Sequence, residues 1–146
     1  MTYYDYDSFE IDVKILARKI KSEFEPDAIL GIARGGLTLA HCLSTALNIR
    51  NCFALNSIHY EETQKLDTIK IFNIPDLSNF KRVLIVDDIV DSGESMIAIK
   101  KELLARFPEL ELKVATIYYK TKALLIPEYS VQEANDWVDF YWDGKI

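Results

Sequence analysis

Residues 83–95 read VLIVDDIVDSGES. Val83, Leu84, Ile85 and Val86 form an uninterrupted β-branched and Leu run, too apolar for an exposed edge, which predicts a strand buried on both faces. The strand is expected to stop at Asp87 and Asp88, leaving Asp87, Asp88 and Asp91 together in one short loop. Ser92, Gly93, Glu94 and Ser95 then open a helix. Met96, Ile99, Leu103 and Phe107 mark its apolar face, Glu102 and Arg106 form an i,i+4 pair, and Pro108 closes it. Backbone N–H groups at a helix N-terminus, with little side-chain obstruction at Gly93, make a natural cradle for a phosphate.

The same grammar extends on both sides. Downstream, residues 112–119 predict another apolar strand ending at Lys120. Upstream, residues 28–32 are continuously apolar and run into Arg34, Gly35 and Gly36, the pattern of a buried strand entering a tight turn, with a short helix expected over 37–47. Residues 51–58 predict a further strand, 69–72 a short one, and 73–80 a connection. HYEETQKLD, residues 59–67, has neither helical nor strand periodicity and is expected to be a mobile loop. At the start, Asp7 and Glu10 have capping-box spacing, and Phe9, Val13, Leu16, Ile20 and Phe24 recur at helical spacing before Pro26. Alternating strands and helices with long hydrophobic strands predict an α/β fold with a mainly parallel central sheet flanked by helices and right-handed crossovers. Residues 123–146 differ, with Pro127, strand-like pieces at 128–131 and 137–142, and four aromatics in the last ten positions. Too small for a core of its own, this segment is expected to fold as a hood over one end of the sheet.

At 146 residues, one domain spanning 1–146 is expected, given about 150 residues per domain. Hydrophobic residues at 49% and charged residues at 27% disfavour disorder. No apolar run approaches the roughly 18 residues that span a bilayer, and MTYYDYDSFE lacks the basic-then-apolar order of a secretory signal. The expected compartment is the cytoplasm. Cys42 and Cys52, without a CxxC pair, are expected to be reduced thiols. Seventeen Lys and Arg against 23 Asp and Glu give a net charge of −6, which a nucleic-acid backbone or an anionic membrane surface would repel. Neither is an expected partner. A bound anion should instead be small and held by a few directed groups.

In a parallel sheet the loops leaving the strands' carboxyl ends converge on one rim, where ligands bind. Two adjacent Asp at such an end repel each other unless a cation or hydroxyl donors share the site. Mg²⁺ and a ribose diol meet both needs, because Mg²⁺ is typically held by one or two carboxylates together with substrate phosphate oxygens. A solvated acidic turn is the bland alternative, disfavoured by its position on the most hydrophobic strand.

VLIVDDIVDSGES resembles the phosphoribosyl pyrophosphate (PRPP) motif of the type I phosphoribosyltransferases. The turn Ala33-Arg34-Gly35-Gly36 is similar to that family's pyrophosphate loop. The tail at 135–143, NDWVDFYWD, is similar to the purine-covering hood of the bacterial xanthine-guanine and hypoxanthine phosphoribosyltransferases. The resemblance implies purine salvage, in which ribose 5-phosphate passes from PRPP to a ring nitrogen of guanine, xanthine or hypoxanthine and pyrophosphate leaves. It implies that Asp87 and Asp88 bind the ribose hydroxyls, with Asp88 the magnesium contact, and that Asp91 is the general acid/base near purine N7. Ser92, Gly93, Glu94 and Ser95 would hold the 5′-phosphate, and Arg34, Gly35 and Lys65 the pyrophosphate. Lys120 would donate to purine O6, Trp137 would stack on the base, and Val138 would contact its C2 substituent through its backbone. The loop around residues 59–67 would close over PRPP and exclude water. Relatives imply a homo-oligomer, dimer or tetramer. The chain departs from the family pattern at two positions. His59 precedes Tyr60 where a Ser-Tyr pair is usual, and Glu94 stands where many relatives carry Gly or another small residue. By the residues alone, His59 is a surface side chain, His41 is structural, and Trp142 is a core or interface aromatic.

Two other classes compete. VLIVDD also resembles the acidic strand end of response-regulator receivers, but there the pair lies near the N-terminus. A non-catalytic protein of the same fold that senses PRPP or nucleotides is the closer rival; Asp91, Arg34, Lys120 and Trp137 together favour catalysis. GxGxxG, GxxxxGKS/T, HExxH and GxSxG are absent.

Overall fold

The apolar run at 83–86 divides its side chains between two cores. Leu84 and Val86 join a cluster with Leu16, Ile20, Leu39 and Leu43, whereas Val83 and Ile85 join Leu55, Ile99 and Leu103. All four are fully buried, each contributing about 1.5–3 kcal/mol of transfer free energy. In this computed structural model, which describes residues 1–60 and 68–144, those clusters lie on opposite faces of one sheet.

That sheet contains β2 (Ala28–Ala33), β3 (Cys52–Tyr60), β4 (Thr68–Phe72), β5 (Arg82–Val90), β6 (Glu111–Tyr119) and β7 (Gln132–Glu133), in the order β4-β3-β2-β5-β6-β7. Every pairing is parallel except β3 with β4. Helices α1 (Tyr6–Glu23) and α2 (Leu37–Ala46) cover the first cluster and α3 (Glu94–Arg106) the second. The expected α/β architecture, a mainly parallel sheet flanked by helices, is the one observed. None of the described helices is long and apolar enough to cross a membrane.

Three expectations need correction. Helix α1 is capped by Asp5, whose carboxylate accepts the Ser8 N–H at 2.8 Å, so Asp7 sits within the first turn instead of capping it. Strand β5 runs on through both acids to Val90. Asp87, Ile89 and Val90 stay in register with Thr116, Tyr118 and Tyr119 of β6, and the N–H groups of Asp88 and Ile89 donate to the carboxylate of the residue before each, at 2.8 and 2.7 Å. The ladder with β6 holds the acids extended, and the two side-chain bonds satisfy these backbone amides within it. The tail also differs: Tyr129 makes an isolated bridge to Ala115, the strand forms at Gln132–Glu133, and a 3₁₀ turn, Tyr141–Asp143, follows β8 (Val138–Phe140). β8 pairs in parallel with β1 (Thr2–Tyr4), a strand the sequence reading did not anticipate.

Strand order reverses direction at β2. The chain leaves β2 toward β3 on one side, and β5 adds on the other. The last β2–β5 partners are Gly31 and Val86, so the final residues of β5 face the turn that leaves β2. This is the switch point where open α/β sheets bind ligands.

Candidate active site

The two glycine-rich ends meet at that switch point. After β2, the Ala33–Arg34 peptide is cis, and Gly35 then lies so close to Asp88 that a β-carbon built on it would collide with the carboxylate. Any larger residue there would push the Asp88 side chain aside. Asp87 and Asp88 are only partly exposed to solvent. Burial, then the neighbouring Asp88 charge, pushes the Asp87 carboxyl well above the usual carboxylate range. Asp88 is raised mainly by burial, and the charge of Asp143 adds to it against the hydrogen bonds from Asp87 and Ile89 that lower it. Such a pair favours a proton, a cation or hydroxyl donors beside it. Among the described residues no group of three or more His, Cys, Asp or Glu forms a ready-made metal cage.

Beyond Val90 the chain turns at Gly93, whose φ of +88° is the left-handed conformation that side chains rarely adopt. A β-carbon there would also meet the Leu125 amide at 2.8 Å. The neighbouring strap is fixed by the Leu124 N–H, which donates to the Ser92 carbonyl at 2.8 Å. Glycine is therefore required by the turn and by packing as well as by any ligand. A cavity of about 170 Å³ opens here, bounded by Asp87, Ile89, Asp91, Ser92, Gly93, Ser95 and, from β3, His59.

A second cavity, about 130 Å³, lies on the other side of Ile89 and Asp91 and includes Asp88, Lys120, Trp137, Val138 and Asp143. Lys120 is placed by its own N–H, which donates to the Val90 carbonyl at 3.0 Å and so ties the end of β6 to the end of β5. Its Nζ lies 2.8 Å from Asp91 Oδ1. Val138 is buried in β8, whereas Trp137 just before it is 73% exposed on the cavity rim. A wider cavity of about 660 Å³ continues past Trp137 to Arg34 and Trp142. Trp142 stacks on Phe140 at 4.8 Å and meets Tyr4 and Phe9 edge-on, as a core aromatic does.

The structure thus gathers Asp87, Asp88, Asp91, Ser92, Gly93, Ser95, Lys120, Trp137 and Val138 around two adjoining cavities, with Gly35 against Asp88 and Arg34 on the cavity beside the tail. Glu94 projects toward His59 at the edge of the first cavity. Lys65 lies outside the described residues. His41 is exposed on α2. Three residues without an assigned role also enter: Ile89 between the cavities, Asp143 beside Asp88, and His59. Ile89 was legible as part of the motif. The other two lay in segments already singled out, His59 at the start of the 59–67 loop and Asp143 at the end of the 135–143 hood, but their place beside the acidic pair comes from the pairing of distant segments.

Comparison with known proteins is consistent over nearly the whole length. The phosphoribosyl transferase domain model matches residues 2–145. A xanthine-guanine phosphoribosyltransferase of Idiomarina loihiensis is 32% identical over 136 residues, covering 90% of this chain and 80% of the relative. One from Cereibacter sphaeroides is 29% identical, covering 97% and 86%. Among solved structures, the Helicobacter pylori xanthine-guanine-hypoxanthine phosphoribosyltransferase superposes with a TM-score of 0.90 at 34% identity, covering 97% of this chain and 92% of that one.

Proposed function

The chain belongs to the phosphoribosyl transferase family, and we propose on this basis that it is a purine-salvage enzyme. It transfers the 5-phosphoribosyl group of PRPP to a 6-oxopurine, giving a nucleoside 5′-monophosphate and pyrophosphate. The observation that supports its residue roles best is the convergence of Asp91, Lys120, Trp137 and Val138 on one cavity that shares Ile89 and Asp91 with the cavity of the Ser92–Ser95 turn.

In this reading the 5′-phosphate sits on the amides of residues 92–95, the ribose lies over Ile89 with its hydroxyls toward Asp87 and Asp88, and the pyrophosphate faces Arg34 and Gly35, with Lys65 a further candidate contact from sequence. Purine N7 and O6 share one edge of the base. The Lys120–Asp91 pair, 2.8 Å apart, presents a donor and an acceptor side by side to that edge. Lys120 donates to O6, which a 6-amino group cannot accept. Asp91 takes the proton from N7 as the bond from the anomeric carbon to the pyrophosphate oxygen breaks and the bond to the ring nitrogen forms. The carboxylates beneath the ribose stabilise the oxocarbenium character that develops. Trp137 covers the base, and the Val138 backbone meets the C2 substituent.

Magnesium fits the donor set: Asp88 offers a hard oxygen ligand whose burial beside Asp87 and Asp143 favours a neighbouring cation. Asp88 would hold the ion, which would supply positive charge against the charge that grows on the leaving pyrophosphate. We assign the enzyme to the cytoplasm, as a homo-oligomer (dimer or tetramer).

The deciding experiment supplies PRPP, Mg²⁺ and, in separate reactions, guanine, xanthine, hypoxanthine and adenine. Nucleoside monophosphate should form with at least one oxopurine and faster than with adenine. Absence of turnover with all three oxopurines overturns the assignment, and faster use of adenine removes the role given to Lys120.

A further inference from the structure

Strand β8 borders the cavity of Lys120 and Trp137, and β1 sets how β8 is presented to it. The two strands form a parallel sheet of their own, with Thr2 opposite Val138, Tyr3 opposite Asp139 and Tyr4 opposite Phe140. The Thr2 N–H donates to the Trp137 carbonyl at 2.9 Å. Successive residues of a strand turn their backbone N–H and C=O groups to alternate edges. With Trp137 and Asp139 turned toward β1, Val138 between them presents its amide and carbonyl to the opposite edge. Among the described residues no strand lies along that edge. The Val138 side chain is packed in the first core cluster, yet the residue borders the cavity. Its backbone edge is thus what Val138 offers a ligand there.

That presentation depends on register. A slip of one residue would turn the Val138 amide and carbonyl onto β1 and bring those of Trp137 and Asp139 to the other edge. Thr2 opposes the slip twice, through its N–H and through its hydroxyl, which donates to Asp136 Oδ1 at 2.9 Å. Asp136 borders the same cavity, and its other oxygen, Oδ2, lies 2.7 Å from the Met1 nitrogen. Two residues on, Tyr4 is buried and its hydroxyl donates to Asp12. β1 is therefore anchored in the core at Tyr4 and meets the start of β8 at Thr2.

We propose that Thr2 is a positioning residue for the nucleobase: by holding Asp136 and the Trp137 carbonyl it fixes the register of β8 and keeps the Val138 amide and carbonyl aimed at the C2 substituent of the purine. The proposal rests on the function assigned above and adds to its base recognition a residue that does not itself border the cavity.

Steady-state kinetics with each substrate varied in turn test it. Thr2→Pro removes both the N–H and the hydroxyl at the first residue of a strand, where the proline backbone is tolerated. It should raise the guanine KM about tenfold with kcat and the PRPP KM nearly unchanged. The hypoxanthine KM should rise less, because that base has no C2 substituent to place. Thr2→Val, which lacks only the hydroxyl, should raise the guanine KM about threefold, and Thr2→Ser should restore it. An unchanged guanine KM in Thr2→Pro, an equal rise for hypoxanthine, or a matching rise for PRPP overturns the proposal. Binding of guanosine and inosine 5′-monophosphates repeats the comparison without turnover: Thr2→Pro should weaken the guanine nucleotide about tenfold and the hypoxanthine nucleotide less. Should the wild type turn over no oxopurine, the functional assignment fails on that result, whereas the two nucleotides still decide the role of Thr2; a wild type that binds neither overturns that role as well.

Discussion

Asp91 and Lys120 hold each other at 2.8 Å, and because the proposed function sets this pair against the purine edge, their variants are informative. Asp91→Asn keeps the size of the side chain and an acceptor oxygen but cannot take up a proton. It should lower kcat by roughly 10²–10⁴-fold, the usual range for a lost general acid/base, while the KM for PRPP moves far less. A large rise in PRPP KM with kcat intact would move Asp91 to sugar binding. At this scale the sequence was informative where chemistry is local. Asp87, Asp88, Asp91 and the residues at 92–95 fall within thirteen positions on one hydrophobic strand and its turn. Lys120 carried no distinguishing mark of its own, being one lysine at one strand end. Its position follows from the Val90 carbonyl, a contact between strands that no short window contains.

The segments around the cavity of Lys120 and Trp137 are joined by a buried knot of hydrogen bonds. The Tyr4 hydroxyl donates to Asp12 Oδ2 at 2.8 Å and the Gln132 amide donates to the same oxygen at 3.2 Å, joining β1, α1 and β7. Around Tyr4 pack Phe9, Tyr118, Phe140 and Trp142. Burial, with Asp12 as the next contribution, raises the Tyr4 phenol far above its ordinary value of 10.0. Its proton is therefore held more tightly in the folded chain than in the unfolded one. The associated stability is complete below pH 10 and is lost as pH rises beyond it. Tyr4→Phe should cost about 1 kcal/mol near neutral pH, the value of one hydrogen bond whose acceptor keeps a second donor, and it should make the alkaline loss shallower. Denaturant titrations at pH 7 and above pH 10 measure both; an unchanged alkaline slope would show that Tyr4 does not carry it. The element-level reading was secure for the long strands and helices, whose periodicity spans many residues. It failed for β1, where three residues are too few to show a period, and at the end of β5, where pairing with the distant strand β6 keeps acidic residues extended.

For the whole molecule, burial of Asp87 and Asp88, with the Asp88 charge acting on Asp87 and the Asp143 charge on Asp88, disfavours their charged forms in the fold, so a cation bound beside them should stabilise it. PRPP with Mg²⁺ at about a hundredfold over Kd should add about 2.7 kcal/mol, which for a chain of this size is a rise of roughly 5–10 °C in Tm. The same titration with Mg²⁺ chelated should give a distinctly smaller rise, and equal rises would exclude a cation from PRPP recognition. The overall architecture was the most legible level of all, because strands buried on both faces leave few ways to arrange a sheet of this length. The two cavities share Ile89 and Asp91 and both draw on β5, with Asp87 and Val90 in one and Asp88 in the other; the remaining walls come from His59 of β3 and the start of α3 on one side and from Lys120 and the tail on the other. In the proposed reading such a division would make the preference at purine C2 transplantable: grafting a tail of different sequence should change which oxopurine is favoured, while Lys120 and Asp91, outside the tail, keep the selection for a 6-oxo group.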